Sequence, residues 1–155
     1  MNLQELTALY DFSGKTFAVT GGGGALGGDV VTTLAGCGAN VMILDRTLSR
    51  LQAIKDSLGA IGDRIDSVQV DVMNRESLAA AGEAIKQRFG PLYGLVNAAG
   101  GNSPKATVSP TMSFFDIPEE GLRFVLDLNL LGTIMPCQVL AKQMVETGEG
   151  VILNY

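Results

Sequence analysis

Histidine is absent from this 155-residue chain. Ser-His-Asp and Cys-His catalysis are thereby excluded, and with them most zinc sites. No metal centre is expected. Only two cysteines occur, Cys37 and Cys137, far apart and without a C-x-x-C partner. They read as two reduced thiols in helices. No run of five or more Lys or Arg is present, and the net charge is −5. Nucleic acid and anionic membrane surfaces are therefore not expected partners. No uninterrupted apolar run approaches the ~18 residues of a membrane span. The first residues carry no basic segment followed by an apolar one, so no secretory leader is expected. These absences together predict a cytoplasmic protein that does not engage a membrane.

What is present is a globular composition, 46% apolar and 17% charged. The length suits one domain, residues 1–155, with a sizeable core. Short apolar runs alternate with longer helical patterns. "KTFAVT" (Lys15–Thr20), "NVMILD" (Asn40–Asp45), "DSVQVDV" (Asp66–Val72), "LYGLVNAA" (Leu92–Ala99) and "GVILNY" (Gly150–Tyr155) read as five strands. Helices are predicted over Ala25–Gly38, near Thr47–Leu58, from an Asn74 cap to Phe89, and from Pro118 to Thr147. The last is expected to be interrupted near Pro136. Asp116 and Glu119 have the spacing of a capping box. A long polar loop, Gly100–Pro118, separates the fourth strand from the last helix. Such alternation means βαβ units, a parallel sheet and right-handed crossovers with helices on both faces. The strands "FAV", "VMIL" and "GLV" are nearly continuous in apolar residues, as strands covered on both faces are.

Between the first strand and the first long helix stands "TGGGGALGG", Thr20–Gly28. A helix N-terminus there presents unpaired N–H groups and a positive dipole end, and a diphosphate can reach them only if no side chain intervenes. Gly22, Gly24 and Gly27 spell G-x-G-x-x-G. Thr20, Gly21 and Gly27 give the ends of T-G-x-x-x-G-x-G, with Ala25 where that pattern has its middle glycine and Leu26 beside it. Gly23 completes the run. Asp45 closes the second strand, near the ~20-residue distance at which a dinucleotide fingerprint places an acid for the ribose diol. A G-K-[S/T] Walker sequence is missing, which excludes a P-loop. Asp45 would repel a 2′-phosphate, favouring NAD over NADP. Arg46 is either a surface charge or a partner for that phosphate.

"TGGGGALGG", Asp45, "DV" (Asp71–Val72), "NAAG" (Asn97–Gly100) and "NLLG" (Asn129–Gly132) follow one another in the order of the short-chain dehydrogenase/reductase family, which the whole chain resembles. Loop wording is most similar to the D-mannonate (fructuronate) oxidoreductase branch. The resemblance implies a Rossmann-type doubly wound α/β sheet in the order 3-2-1-4-5 and an NAD(P)-dependent hydride transfer between nicotinamide and a secondary alcohol or ketone. The substrate would be a small molecule, with a sugar acid suggested. It also implies roles by residue. Asp71 and Val72 border the adenine; the alternative for Asp71 is a strand-end cap of the next helix. Asn97, Ala98, Ala99 and Gly100 form the turn under the cofactor, Ala98 standing where the family usually has a second Asn. Asn129 holds a water of the proton relay.

Helical spacing independently puts Asn129 on a stripe with Leu122, Val125/Leu126, Thr133 and Pro136, expected to face the sheet; the alternative role is a core amide bonding backbone only. A second stripe, Phe124, Leu128, Leu131 and Met135, is expected to meet a second subunit, so a homo-oligomer through the Pro118–Thr147 helix is predicted. Asn102 and Lys105 are candidates for a substrate carboxylate, or else solvated loop residues. The family's catalytic Ser and Tyr-x-x-x-Lys would follow the fifth strand, beyond Tyr155, which has no Lys four residues on and is not assigned. On this reading the chain carries the cofactor-binding half and is inactive alone. The alternatives are a non-catalytic dinucleotide-binding module and a methyltransferase-like domain, the latter leaving "NAAG" and "NLLG" unexplained.

Overall fold

The structure is a computed structural model that describes residues 2–49 and 51–155. Strand β1 (Thr16–Thr20) occupies the middle of one parallel sheet. Beside it lie β2 (Asn40–Asp45), β3 (Ile65–Gln69), β4 (Gly94–Asn97) and β5 (Val151–Asn154), in the order β3-β2-β1-β4-β5. The register of β1 runs Phe17 to Val41 on one side and Phe17 to Gly94 on the other. This is a Rossmann-like arrangement, with its switch point between β1 and β4.

Alternation along the buried strands divides the core into two layers. Ala18, Met42, Leu44 and Leu95 point to one face, where α4 (Arg75–Phe89) supplies Leu78, Ala81 and Ile85. Phe17, Val19, Val41, Ile43 and Val96 point to the other face, where α2 (Ala25–Gly36) supplies Val31 and Ala35. Burying each Leu or Ile side chain this way contributes about 1.5–3 kcal/mol. Asn74 caps α4 as expected, accepting from the Ser77 N–H at 3.0 Å.

Several boundaries differ from the sequence reading. A short helix, α1 (Leu3–Leu9), precedes β1 and is closed by a capping box between Asn2 and Glu5. The helix expected near Thr47–Leu58 is α3 (Leu51–Leu58), and residue 50 lies outside the described residues. β3 stops at Gln69 rather than Val72, because Val70, Asp71 and Val72 turn away over the end of the sheet. Asp116 caps nothing: it belongs to a single 3-10 turn begun by Ser113, and Pro118 precedes the next helix without a side-chain cap.

That helix departs most from expectation. It comprises α5 (Glu119–Leu126), a π turn (Asp127–Leu131), α6 (Gly132–Leu140) and α7 (Lys142–Thr147). The helix is irregular at the π turn and again at Ala141, between α6 and α7, while Pro136 itself is buried inside α6. A π turn holds one extra residue and shifts helical phase, so the two stripes counted at 3- and 4-residue spacing do not survive it. Leu128 and Met135, expected on the outer face, pack against the core layer of α4. Leu122 and Leu126, expected against the sheet, are 46% and 61% exposed, and Asn129 is exposed rather than buried. Gly132, Pro136, Leu140 and Met144 hold the helix to the sheet layer. Counted as one stretch, Glu119–Thr147 is also long and apolar enough to cross a membrane, by length and composition only. Polar residues interrupt its apolar runs, which is why run length alone did not mark it.

Candidate functional site

The glycine run is a tight turn welded to its surroundings. Gly21 N–H donates to the Leu44 carbonyl at 2.8 Å, and Gly24 N–H returns to the Gly21 carbonyl at 2.9 Å. Gly21 has φ +66°, and a Cβ there would lie 2.7 Å from the Ala98 carbonyl oxygen. Both the dihedral and the space require glycine. A Cβ on Gly27, in the first turn of α2, would overlap the Gly21 carbonyl. The helix can sit this close to the turn only because that atom is missing. Gly24 precedes the helix and offers no capping side chain. The first-turn N–H groups of α2 therefore have no intrahelical or capping acceptor.

Asp45 faces this turn. Its carboxylate accepts from Gly23 N–H and from Thr47 N–H, each at 3.0 Å. Two of roughly four lone-pair sites are thus used. The remainder can accept from a vicinal diol. Arg46 is exposed beside it.

Sequence reasoning gave Thr20 no role beyond opening the motif. Thr20 is fully buried, and its hydroxyl accepts from both Ala98 and Ala99 N–H at 3.1 Å. One hydroxyl thereby ties the β1 turn to the β4 turn across the switch point. The signal was available: a Thr at the end of a strand buried on both faces needs partners for its oxygen.

An open cleft of about 440 Å³ lies over the carboxyl ends of the strands. Of the expected residues, Gly21, Gly24, Asp45, Arg46, Asp71, Val72, Ala98, Ala99 and Gly100 line it. Gly22, Gly23 and Gly27 shape the turn beneath, while Ala25 and Leu26 stand exposed at its rim. The Ala25 Cβ therefore does not intrude on the turn. Asp71 is not the cap of α4, a role taken by Asn74; its carboxylate accepts from Met73 N–H at 2.9 Å. Leu44, Val70, Met73, Phe124, Asp127 and Leu128 also line the cleft and were not anticipated.

Two expected residues lie elsewhere. Asn97 is buried and turned along the sheet, donating to Asn154 Oδ1 at 2.8 Å and to Cys137 Sγ at 3.2 Å. Asn129 bridges the π turn to the loop after β4. It accepts from Gly101 N–H at 3.0 Å and donates to the carbonyls of Gly101 and Val125, both at 2.8 Å. Its partners are backbone only, although the residue is not in the core. In the loop, Lys105 is paired with Glu120 at 3.0 Å, and the Asn102 side chain accepts from Ser103 N–H.

A glycine turn under an unclosed helix N-terminus, an acid at the end of β2 and a cleft at the switch point define a nucleotide-binding α/β domain of the doubly wound kind. Residues 15–155 match the short chain dehydrogenase family, and the chain belongs to that family. It is 35% identical over 152 residues to an oxidoreductase, UxuB, of Bacillus subtilis (strain 168), covering 93% of this chain and 55% of that protein. A structure from Haemophilus influenza, provisionally assigned as a D-mannonate oxidoreductase and holding NAD, superposes with TM-score 0.80 at 30% identity. That match covers 90% of this chain and 53% of the other. A 7α-hydroxysteroid dehydrogenase in complex with NADH and a 7-oxo bile acid gives TM-score 0.80 at 28% identity, covering 94% and 54%. The chain spans about half the length of the curated relatives it matches.

Proposed function

We propose that this chain is the cofactor-binding half of an NAD-dependent oxidoreductase that interconverts a secondary alcohol and a ketone. The observation that carries the reading is the pairing of the Gly21–Gly27 turn with Asp45. The first-turn N–H groups of α2 would hold the diphosphate. Asp45 would accept both ribose hydroxyls with its free lone pairs and repel a 2′-phosphate, so NAD is favoured over NADP. Ala98, Ala99 and Gly100 leave room for a ring above β4. Asn129 keeps one acceptor lone pair beyond its backbone bonds and could hold a water there. The nicotinamide supplies hydride chemistry when bound.

A small keto or hydroxy sugar acid is the substrate class suggested by likeness to the Haemophilus protein. Lys105 is a weak candidate for its carboxylate, because Glu120 already engages the ammonium. A homo-oligomer is supported by the exposed apolar positions Leu122, Leu126, Leu130 and Ile134 on the Glu119–Thr147 helix. The net charge of −5 fits a cytoplasmic protein without nucleic-acid partners.

Calorimetric titration of the chain with NADH and NADPH tests the reading. NADH should bind tighter, and Asp45→Ser should weaken NADH binding about tenfold or more by removing a charged acceptor. Binding of neither dinucleotide, or a preference for NADPH, overturns it. NADH oxidation with D-fructuronate by a longer chain that continues past Tyr155 would support the sugar-acid assignment. Binding without turnover in this chain and in the longer one would instead indicate a non-catalytic dinucleotide-binding module. Sedimentation showing a monomer at high concentration would remove the oligomer.

A further inference from the structure

Asn97 closes β4 with a side chain that the fold does not satisfy. The residue is 2% exposed. Its Nδ2 uses both protons, one on Asn154 Oδ1 at 2.8 Å and one on Cys137 Sγ at 3.2 Å. Its Oδ1 is buried without a hydrogen-bond partner, the only buried side-chain oxygen or nitrogen so placed among the described residues. Exchanging the two ends of the amide does not remedy this. Oδ1 would then meet the thiol and Asn154, and the nitrogen would be buried without an acceptor. Either way one end of a buried amide is orphaned, which is costly.

Cys137 shares this site. The two ends of a planar amide are about 2.2 Å apart, so the orphaned end lies within roughly 5 Å of Cys137 Sγ. One added oxygen and its hydrogen bond span that gap. Cys137 is half-buried on α6, packed on one side against the core layer and open to small solutes on the other. A thiol is a weak donor and a weak acceptor. A sulfenic acid, S–O–H, donates through its hydroxyl and accepts at its oxygen, and so matches the C=O and N–H of the amide. We infer that Cys137 is an oxidation site, at which a hydroperoxide converts the thiol to a sulfenic acid that the Asn97 amide then holds.

The thiolate sulfur attacks the O–H oxygen of the peroxide. An S–O bond forms, the O–O bond breaks, and the leaving hydroxide or alkoxide takes a proton from water. Sulfur loses two electrons and the peroxide gains them. The sulfenic O–H donates to Asn97 Oδ1, and Nδ2 donates to the added oxygen instead of to sulfur. The second cysteine does not resolve this product. Cys37 ends α2, which packs on the opposite face of the sheet from Cys137, so no internal disulfide is within reach. Cys37 Sγ has no hydrogen-bond partner among the described residues and serves as the comparison within one molecule. No dinucleotide takes part, so the step stands or falls separately from the cofactor reading.

The test treats the chain with hydrogen peroxide, removes the excess with catalase, and adds dimedone after increasing delays. Peptide mass spectrometry then reads each cysteine. The Cys137 sulfenic acid should outlast that of Cys37 by about tenfold, the scale of one to two hydrogen bonds. Asn97→Leu, its fold checked by circular dichroism, should shorten the Cys137 lifetime to that of Cys37. Where that variant does not fold, the wild type decides alone. The Asn97 side-chain NH2 signals should move on oxidation, because their acceptor changes from sulfur to oxygen. Absence of a dimedone adduct at Cys137, equal lifetimes at the two cysteines, an unchanged Cys137 lifetime in folded Asn97→Leu, or Asn97 signals that stay in place on oxidation each overturns the inference.

Discussion

The two outer strands of the sheet are opposites. β3 reads "IDSVQ", with a charge and two further polar residues, yet Ile65 is fully buried and Asp66, Ser67 and Val68 are partly covered. β5 reads "VILN", almost wholly apolar, yet Val151, Ile152 and Leu153 are 48%, 41% and 51% exposed. A strand's apolarity states what it needs, and its neighbours decide what it gets. β3 has α4 and the α3 segment beside it, and it blunts its own edge with Asp66, ion-paired to Arg88 at 3.0 Å. Among the described residues, β5 pairs only with β4.

Truncation is the sharpest way to break this contrast. Ile65→Ala should destabilise the chain by about 2–5 kcal/mol in denaturant titration. Ile152→Ala should stay within about 0.5 kcal/mol, as substitutions at exposed sites do. An equal loss at both positions would show that β5 is covered in solution. The strand between them sets an intermediate scale. Thr20→Val leaves Ala99 N–H at the switch point without its acceptor, while Ala98 N–H keeps the Thr20 carbonyl at 3.2 Å, and should cost about 1–3 kcal/mol, with NADH affinity falling alongside stability. Ile152→Lys should leave stability unchanged but reduce concentration-dependent light scattering, because a charged edge resists pairing with another chain.

The smallest effect lies at Asp66. Burial raises its pKa, but the hydrogen bond from Ser67 N–H and the Arg88 guanidinium, with help from Lys55, outweigh burial and hold it below 3.8. A lowered folded pKa means the contribution is complete above the unfolded value and is lost as pH falls through the folded one. The side chain is 36% exposed, so screening limits the pair to a few tenths of a kcal/mol. Acid unfolding of Asp66→Asn should therefore show a slightly shallower loss of stability below about pH 4, and added salt should shrink the difference.

The sheet order was legible because each strand is a short apolar run and parallel crossovers leave few choices. The glycine turn and Asp45 were legible because both lie at strand ends, where sequence position fixes place in the fold. Phe124, Asp127 and Leu128 were not, because a π turn has no sequence signature and periodicity assumes unbroken phase. The same slip turned Leu122 and Leu126 outward and Leu128 and Met135 inward, and moved Asn129 out of the core. Val70 was read as strand when it belongs to the cleft wall, since an apolar residue looks alike in both settings.

The π turn also bears on which insertions and deletions this helix can absorb. Residues before it and after it occupy separate sequence frames, one set by the cleft and one by the core. Deleting a single residue within Asp127–Leu131 would rotate the upstream frame by ~100° while leaving Gly132, Pro136 and Leu140 in place. Such a deletion would re-choose the side chains that face the ligand without disturbing the layer that keeps the protein folded.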